Sequence, residues 1–507
     1  MAEYLLGIDN GCTVSKAALF DLQGHEICVA SRTTELECPH PGWTERRMEG
    51  IWTTTSQAVR DVIERAQIRP QQIVGVGTTG HGNGLYLLDR AGQPLRPGIV
   101  STDTRAASIV EEWYATGCHE RAFPRTLQSF WPAQPNALLA WMKRAEPDNY
   151  ARIGSVLLIK DFVKYCLTGQ VSADLTDTSA TSLFDSANRT YSVDLLDLYG
   201  IPEILTALPP VARSFDIVGR VTDDAARATG LAAGTPVVGG LIDIEACALG
   251  SGVVRPGQAS IVCGSWSINQ IVTTKPLAAP HIFMTILYTV PDLWLTVEAS
   301  ATSASNLEWF VSQFCAEECA EAKRRGVSVY DVCNERVEAT PPGSSTVIFH
   351  PFLYGSNVQA SARAGFYGVA GWHTRAHLLR ALYEGVVFSH LNHLERLQGI
   401  GAQIEMVRLS GGGSRSRVWT QMFADALRIP VEVADGSEMG ARGAALSAGI
   451  GVGVYRDHVD AVARAVRIVR RHEPDASATP HYVARYAEYR RLLEAMQSPW
   501  QHLSQLQ

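Results

Sequence analysis

The opening stretch constrains the fold most, because residues 4–32 read as three short strands in succession with no helix between them. Tyr4-Leu5-Leu6-Gly7-Ile8-Asp9 is apolar and strand-like, and a polar turn runs from Asn10 to Ser15. Lys16-Ala17-Ala18-Leu19-Phe20-Asp21 returns as a second strand. After the turn Leu22-Gln23-Gly24, His25 to Arg32 supplies a third. Turns this short suit hairpins, not helical crossovers, so the chain is expected to open as an antiparallel meander. A helix follows from about Glu49 to Ala66, with Trp52, Ala58, Val59 and Val62 on one face.

Ile73 to Gly80 then presents Gly75, Gly77 and Gly80, which match the dinucleotide pattern GxGxxG in letters. A dinucleotide turn has to open a helix whose N-terminus holds the pyrophosphate. Here His81-Gly82-Asn83-Gly84 leads instead into another strand, Leu85 to Asp89. The match is read as a decoy.

In the middle, Thr235 to Gly240 is strand-like and ends at Leu241-Ile242-Asp243. A small-residue helix, Ile244 to Leu249, is closed by Gly250-Ser251-Gly252. After the turn Arg255-Pro256-Gly257, Ala259 to Cys263 reads as a strand ending in Gly264-Ser265-Trp266-Ser267. A chain of 507 residues exceeds what one core serves. The natural boundary lies near residue 252, giving domains 1–252 and 253–507. Each begins with strands around a glycine-bearing loop, which implies two similarly built domains around a cleft.

The second half carries a long helix from about His377 to Leu397 and a strand, Val407 to Ser410, that runs into Gly411-Gly412-Gly413-Ser414. An amphipathic helix, Arg417 to Leu427, comes next, and a small-residue helix, Ala441 to Ala448, lies further on. Strand, triple glycine, helix is the context that the earlier decoy lacks. It suits close approach of a nucleotide to the backbone, and it suits a structural glycine turn equally well.

Composition excludes several function classes. Hydrophobic residues make up 46% and charged residues 19%, an ordinary globular balance. The formal charge of −7 leaves no footprint for nucleic acid or an anionic membrane. Met1 to Gly7 has no basic run, apolar core and cleavage site, and Asp243 and Glu245 interrupt the longest apolar stretch, Pro236 to Val254. A cytoplasmic protein is expected. The ten cysteines show no CxxC pair, so Cys315 and Cys319 read as reduced helical thiols. His390 and His393 read as helix-surface or core residues, not as metal ligands.

Two carboxylates stand out. Asp9 ends a strand ahead of Asn10-Gly11-Cys12-Thr13-Val14-Ser15-Lys16. It can hold Mg2+ through water, since that ion favours one or two carboxylates plus phosphate oxygens. Gly11, Thr13 and Lys16 add amide, hydroxyl and ammonium groups. This is not a Walker loop, because GxxxxGK[ST] is absent and a strand follows. Capping a tight turn is the other reading of Asp9. Asp243 sits at a strand end among apolar neighbours, where an idle carboxylate is costly. It suits a helix N-cap or the base that deprotonates an acceptor hydroxyl in phosphoryl transfer. The two roles are compatible.

Taken in order, nine segments resemble the FGGY carbohydrate kinases, of the actin/Hsp70/sugar-kinase fold. They are Asp9 to Lys16; Pro41-Gly42-Trp43-Thr44-Glu45; Gly80 to Asp89; Ser101-Thr102-Asp103; Lys160-Asp161 with Leu167-Thr168-Gly169; Gly239 to Gly250; Gly264-Ser265-Trp266; Gly365-Phe366-Tyr367-Gly368; and Ser410 to Asp425. Within the family the chain is most similar to the xylulose kinases. Glu298-Ala299-Ser300, Asn306 to Phe310 and Pro351 to Asn357 resemble the L-xylulose (3-keto-L-gulonate) kinase branch.

The resemblance implies an α/β chain of two actin/Hsp70-like (ribonuclease H-like) domains around a catalytic cleft, with ATP and Mg2+ as cofactors. It implies phosphorylation of a small sugar, xylulose to xylulose 5-phosphate ahead of 3-keto-L-gulonate, ribulose or erythritol. By the same resemblance Asp243 is the base, Asp9 organises Mg2+, and Gly11, Thr13 and Lys16 lie near the phosphates. Gly264 and Ser265 form a second phosphate loop, and Gly411, Gly412, Gly413, Ser414 and Gln421 line the adenosine side. Asp103 and the loop His81-Gly82-Asn83 face the sugar. Dimers are common in the family, so a homodimer is the assembly it implies, although the residues leave oligomeric state open.

Two departures concern the sugar side. His81-Gly82-Asn83 stands where D-xylulose kinases usually carry Gln-Met-His, and Pro135-Asn136-Ala137-Leu138 stands where Pro-x-x-Lys is usual. They put the substrate in question and not the reaction. A sugar-sensing regulator without catalysis and an ATP-driven protein acting on a protein partner are the competing readings. Asp9, Thr13 and Asp243 argue against the first, and the lack of long appendages argues against the second.

Overall fold

The computed structural model describes residues 2–356 and 361–506, so Asn357 lies outside the described residues. The chain forms two compact units: Met1–Pro256, Val272–Thr296 and Gly436–Arg467 in one, and Gly257–Ile271, Val297–Asp435 and Ile468–Gln507 in the other. The first unit therefore takes back two later segments after the chain leaves it.

The expected meander opens the first unit. Tyr4–Asn10 pairs antiparallel with Val14–Asp21, which pairs antiparallel with Glu26–Thr33. On its other side Tyr4–Asn10 runs parallel to Ile73–Gly80. Pro236–Val238 and Leu241–Ile242 pair in parallel with Ile73–Gly80, and Ile217–Arg220 closes the edge. Both faces of this sheet are covered, which explains why its strands are apolar at successive positions. Leu6, Ile8, Ala17 and Leu19 bury against Ile51, Ala58, Val59 and Val62 of helix Met48–Ala66. Leu5, Ala18 and Phe20 bury against Ala441, Ala444 and Ala445 of helix Met439–Gly451.

Packing explains the glycines of the decoy. Ile73–Gly80 is a strand that ends in a loop, so no helix N-terminus stands behind Gly80. A Cβ on Gly77 would lie 2.0 Å from the Ala444 carbonyl oxygen, and one on Gly7 would lie 1.8 Å from that of Ala441. Helix Met439–Gly451 rides directly on the strand backbones. Gly77→Ala is expected to destabilise the protein by about 1–3 kcal/mol through overpacking, read as a lowered denaturation midpoint. A midpoint equal to the parent's would count against that close approach.

A buried ion cluster lies in the same unit. Lys160 Nζ meets Asp161 Oδ1 at 3.0 Å, Asp177 Oδ2 at 3.1 Å and the carboxylate of Asp174. Lys164 Nζ donates to Asp161 Oδ1 at 3.0 Å and to the Gly239 carbonyl at 2.9 Å. These side chains are essentially inaccessible to solvent. Burial alone would lower the Lys160 ammonium, but the three carboxylates hold it well above its usual range.

In the second unit Gln258–Cys263 pairs antiparallel with Ser267–Thr273 and parallel with Met406–Ser410. Val431–Ala434 continues in parallel, and Ile468–His472 closes the edge antiparallel. A hairpin with a later parallel strand on its far side thus recurs in both units. Trp419 of helix Arg417–Leu427 stacks on Tyr383 of helix Arg375–Gly399 with ring centroids 4.3 Å apart. His390 lies in this core, with its ring nitrogens 2.7 Å from Asn269 Oδ1 and 2.8 Å from Ser303 Oγ. His393 Nδ1 is 3.0 Å from Glu298. Both histidines are buried core residues with hydrogen-bonded rings. All ten cysteines are free thiols. Cys315 falls between helices Ser305–Phe314 and Ala316–Arg325 and not within one.

Candidate active site

Three adjacent parallel strands in the first unit end level with one another. Asn10 and Ile242 both register with Gly80, one on each side of it. Asp9, the loop that starts at His81, and Asp243 therefore gather at the carboxyl ends of neighbouring strands, where open α/β sheets bind their ligands. Residues far apart in sequence meet because parallel pairing aligns strand ends.

Asp243 is the first residue of helix Asp243–Gly250, with Ile242 at the cap position and no side-chain capping bond. Its carboxylate is half-buried. Burial, together with the charges of Asp9 and Asp177, pushes it up to about 8, with the Ile244 amide opposing. Asp9 is also half-buried, and burial pushes it up to about 6 despite the neighbouring Lys16. Its carboxylate makes no hydrogen bond or ion pair with the described residues. Lys16 lies opposite Asp9 in the first hairpin, and its Nζ is 2.9 Å from Glu438. Gly11 is half-exposed and Thr13 exposed in the loop between them.

The sugar-side candidates are more enclosed. His81 is buried, its Nε2 lies 2.9 Å from Tyr86 Oη, and burial lowers it to about 4, so the ring is neutral at physiological pH. Asn83 holds a left-handed backbone with φ 61° and buries an Oδ1 that has no partner among the described residues. Gly82 is boxed in, because a Cβ there would lie 2.4 Å from Ile242 Cδ1. Asp103 is fully engaged: its carboxylate accepts the Thr44 amide at 2.6 Å and the Arg105 guanidinium at 2.8 Å. Arg105 also meets Glu45 at 2.8 Å and lies 4.2 Å over the Trp43 ring.

The second unit repeats the strand-end arrangement. Val262 registers with Ser410, so Gly264 and Ser265 emerge beside Gly411, Gly412 and Gly413. Gly411 takes a φ of 82°, and a Cβ there would lie 2.7 Å from the Cys263 carbonyl oxygen. Gly412–Arg415 forms a tight turn in which Ser414 Oγ donates to the Gly411 carbonyl at 2.8 Å. Ser416 then caps helix Arg417–Leu427 by accepting the Trp419 amide. Gln421 is tied to Asp425, to the Glu473 carbonyl and to His472 at 2.7–2.8 Å.

Several site residues carried no usable sequence signal. Glu438 joins Lys16 across 422 residues. Arg46, Asp174 and Asp177 are buried charged residues whose contacts, with Gly11, Cys12 and Thr34 for the first and Lys160 for the others, only the folded chain brings near, and Arg105 pairs locally with Asp103. Arg46 directly follows the recognised segment ending at Glu45, and Asp174 and Asp177 follow Leu167-Thr168-Gly169, so the neighbourhoods were legible but the contacts were not.

The chain matches the FGGY family of carbohydrate kinases, N-terminal domain, over residues 4–250 and C-terminal domain over residues 259–452. It is 38% identical over 500 residues to the L-xylulose/3-keto-L-gulonate kinase of Escherichia coli strain K12, covering 98% of each chain. It is 38% identical to a probable L-xylulose kinase of Pasteurella multocida, covering 98% of this chain and 99% of that one. The crystal structure of xylulose kinase from Rhodospirillum rubrum superposes with a TM-score of 0.88 at 30% identity, covering 98% of this chain and 100% of that one. The fold is accordingly the two-domain α/β fold of the actin/ribonuclease H-like class, and no helix among the described residues is long and apolar enough to cross a membrane. With both family domains matched in order across most of its length, the chain belongs to the FGGY family of carbohydrate kinases.

Proposed function

We propose that the protein is a cytoplasmic, ATP-dependent kinase for a xylulose-type ketopentose, with Asp243 as the general base. The observation that carries this reading is the alignment of Asp9 and Asp243 at the ends of strands flanking Ile73–Gly80. Asp243 takes the proton of the sugar hydroxyl, the oxygen bonds to the γ-phosphorus, and ADP leaves with the electron pair of the broken bond. A base raised to about 8 by burial and neighbouring charge is well matched to an alcohol.

Asp9 fits a divalent cation, because it is a half-buried carboxylate with no partner among the described residues. It would hold Mg2+ largely through water, and that ion when bound offsets the negative charge of the phosphates. Gly11, Thr13 and Lys16 serve the phosphates from the first loop, and Gly264 and Ser265 serve them from the second. Gly411, Gly412, Gly413, Ser414 and Gln421 form the adenosine side. His81, Gly82, Asn83 and Asp103 form the sugar side, where the neutral His81 and the unpartnered Asn83 Oδ1 suit hydroxyl groups. Residues 1–252 thus carry the sugar and the first phosphate loop, and residues 253–507 carry the nucleotide.

Similarity to kinases named for L-xylulose and 3-keto-L-gulonate supports xylulose as the first substrate to test. The test is a coupled ADP-release assay with Mg-ATP against D-xylulose, L-xylulose, 3-keto-L-gulonate, D-ribulose, erythritol and glycerol. Turnover on one xylulose well above the others is the expected result. Preference for a different acceptor would move the assignment to that sugar, and no turnover on any would favour a sugar-sensing regulator.

A further inference from the structure

Arg46 is a fully buried arginine with no acidic partner among the described residues. Its sequence neighbour Glu45 is turned elsewhere, to Arg96 and Arg105. A guanidinium stays charged in proteins, so this positive charge persists inside the fold. A buried charge with no counterion is costly, and it calls for an explanation beyond packing.

Its hydrogen bonds supply one. Arg46 Nη1 donates to the Gly11 carbonyl at 2.7 Å and to the Cys12 carbonyl at 3.2 Å, and Nη2 donates to Thr34 Oγ1 at 2.7 Å. Both carbonyls belong to the loop between Asp9 and Lys16. The peptides here are trans, and in a planar trans peptide the C=O and N–H point in opposite directions. The peptide that carries the Gly11 carbonyl also carries the Cys12 amide, and the next one carries the Cys12 carbonyl and the Thr13 amide. Turning both carbonyls toward Arg46 therefore turns the Cys12 and Thr13 N–H groups away from it. Neither amide donates to another described residue. Successive amides aimed to one side of a loop form an anion-binding concavity.

The position of that concavity identifies the anion. The loop leaves its strand at Asn10 and Asp243 follows Ile242, and both of those strand ends register with Gly80, so the loop starts level with Asp243. A phosphate bound by these amides is thus the one that reacts with the hydroxyl which Asp243 deprotonates. We propose that Arg46 is a positioning residue that aims the Cys12 and Thr13 amides at the transferred phosphoryl group of ATP and backs them with an uncompensated positive charge. This rests on the reading of the loop as a phosphate site in a kinase. Arg46 touches the loop and not the substrate, so it acts through the two peptides.

The discriminating property is the γ-phosphate. Full-length parent, Arg46→Gln and Arg46→Lys are titrated calorimetrically with Mg2+ plus β,γ-imido-ATP and with Mg2+ plus ADP, and each variant is melted. Arg46→Gln is expected to bind the triphosphate analogue about tenfold more weakly, as the two amides lose their aim and the charge behind them, with ADP affinity and the KM for sugar unchanged. Arg46→Lys, which keeps the charge but has no second nitrogen to stay anchored on Thr34 while it reaches the two carbonyls, is expected to lose about threefold for the analogue alone. Equal losses for analogue and ADP would reduce Arg46 to structural support of the loop and overturn the proposal, as would parent-like affinity for both. If Arg46→Gln shows no cooperative melt, Arg46→Lys decides by the same comparison. A parent that binds neither nucleotide would overturn the kinase reading and this proposal together. A parent that binds both, with variants that match it, would overturn this proposal alone.

Discussion

Asp243→Asn is expected to lower kcat/KM by about 10³, within the ~10²–10⁴ range of general-base catalysis, while the variant folds normally. The pH dependence sharpens this prediction. The folded protein holds the Asp243 proton up to about 8, whereas an unperturbed aspartate releases it near 3.8. Between those values the folded state binds more protons than the unfolded chain, so this group costs stability as pH rises through the window. Asparagine does not ionise and escapes that cost. The variant should therefore melt above the parent at pH 8, and the gap should close as the pH approaches 4. Activity runs the other way: kcat/KM of the parent, which reports the free enzyme, should fall as the pH drops below about 8. Rates and melting curves for both proteins across that range are the measurement. An active asparagine variant would remove Asp243 from the base role.

Lys160→Met should have the largest effect on stability. It leaves Asp161, Asp174 and Asp177 without the ammonium they share, in a place closed to solvent. Removing one partner of a buried ion network costs about 3–5 kcal/mol, because Asp174 and Asp177 stay buried without a cation while Asp161 keeps only Lys164. The expected outcome is a large drop in denaturation midpoint, or aggregation during expression. Adding Asp174→Asn should recover part of that loss, and a double-mutant cycle would report the coupling. The cluster also bears on the site. Thr176 Oγ1 donates to Asp174 at 2.5 Å and accepts the Ile242 amide at 3.0 Å, one residue before Asp243. Loss of activity beyond the loss of folded protein in Lys160→Met would show that the cluster also sets the base. Unchanged stability would contradict the burial of the network.

Much of the architecture was legible because local periodicity records what a strand or helix must bury. The meander of residues 4–32, the rejection of the GxGxxG match and the helix Arg417–Leu427 all followed from apolar spacing and turn chemistry. Asp9 and Asp243 stood out for a similar reason, as acidic residues at the ends of apolar strands. The resemblance also marked His81-Gly82-Asn83 as a point where the chain departs from the pattern expected of D-xylulose kinases.

What it left open is long-range. Nothing in the local pattern says that Gly77 faces the Ala444 carbonyl, that Glu438 meets Lys16, or that Arg46 reaches back to the Gly11 and Cys12 carbonyls. Asp103 reads as an available carboxylate until Arg105 and the Thr44 amide are seen to enclose it. The same holds for protonation, since the neutral state of His81 and the elevated proton affinity of Asp243 come from burial by many segments at once. Sequence determined which elements form and which residues end them, because those depend on neighbours a few positions away. Tertiary structure alone decided which charges are paired, buried or left without a partner, because desolvation and Coulomb energy depend on distance in space and not along the chain.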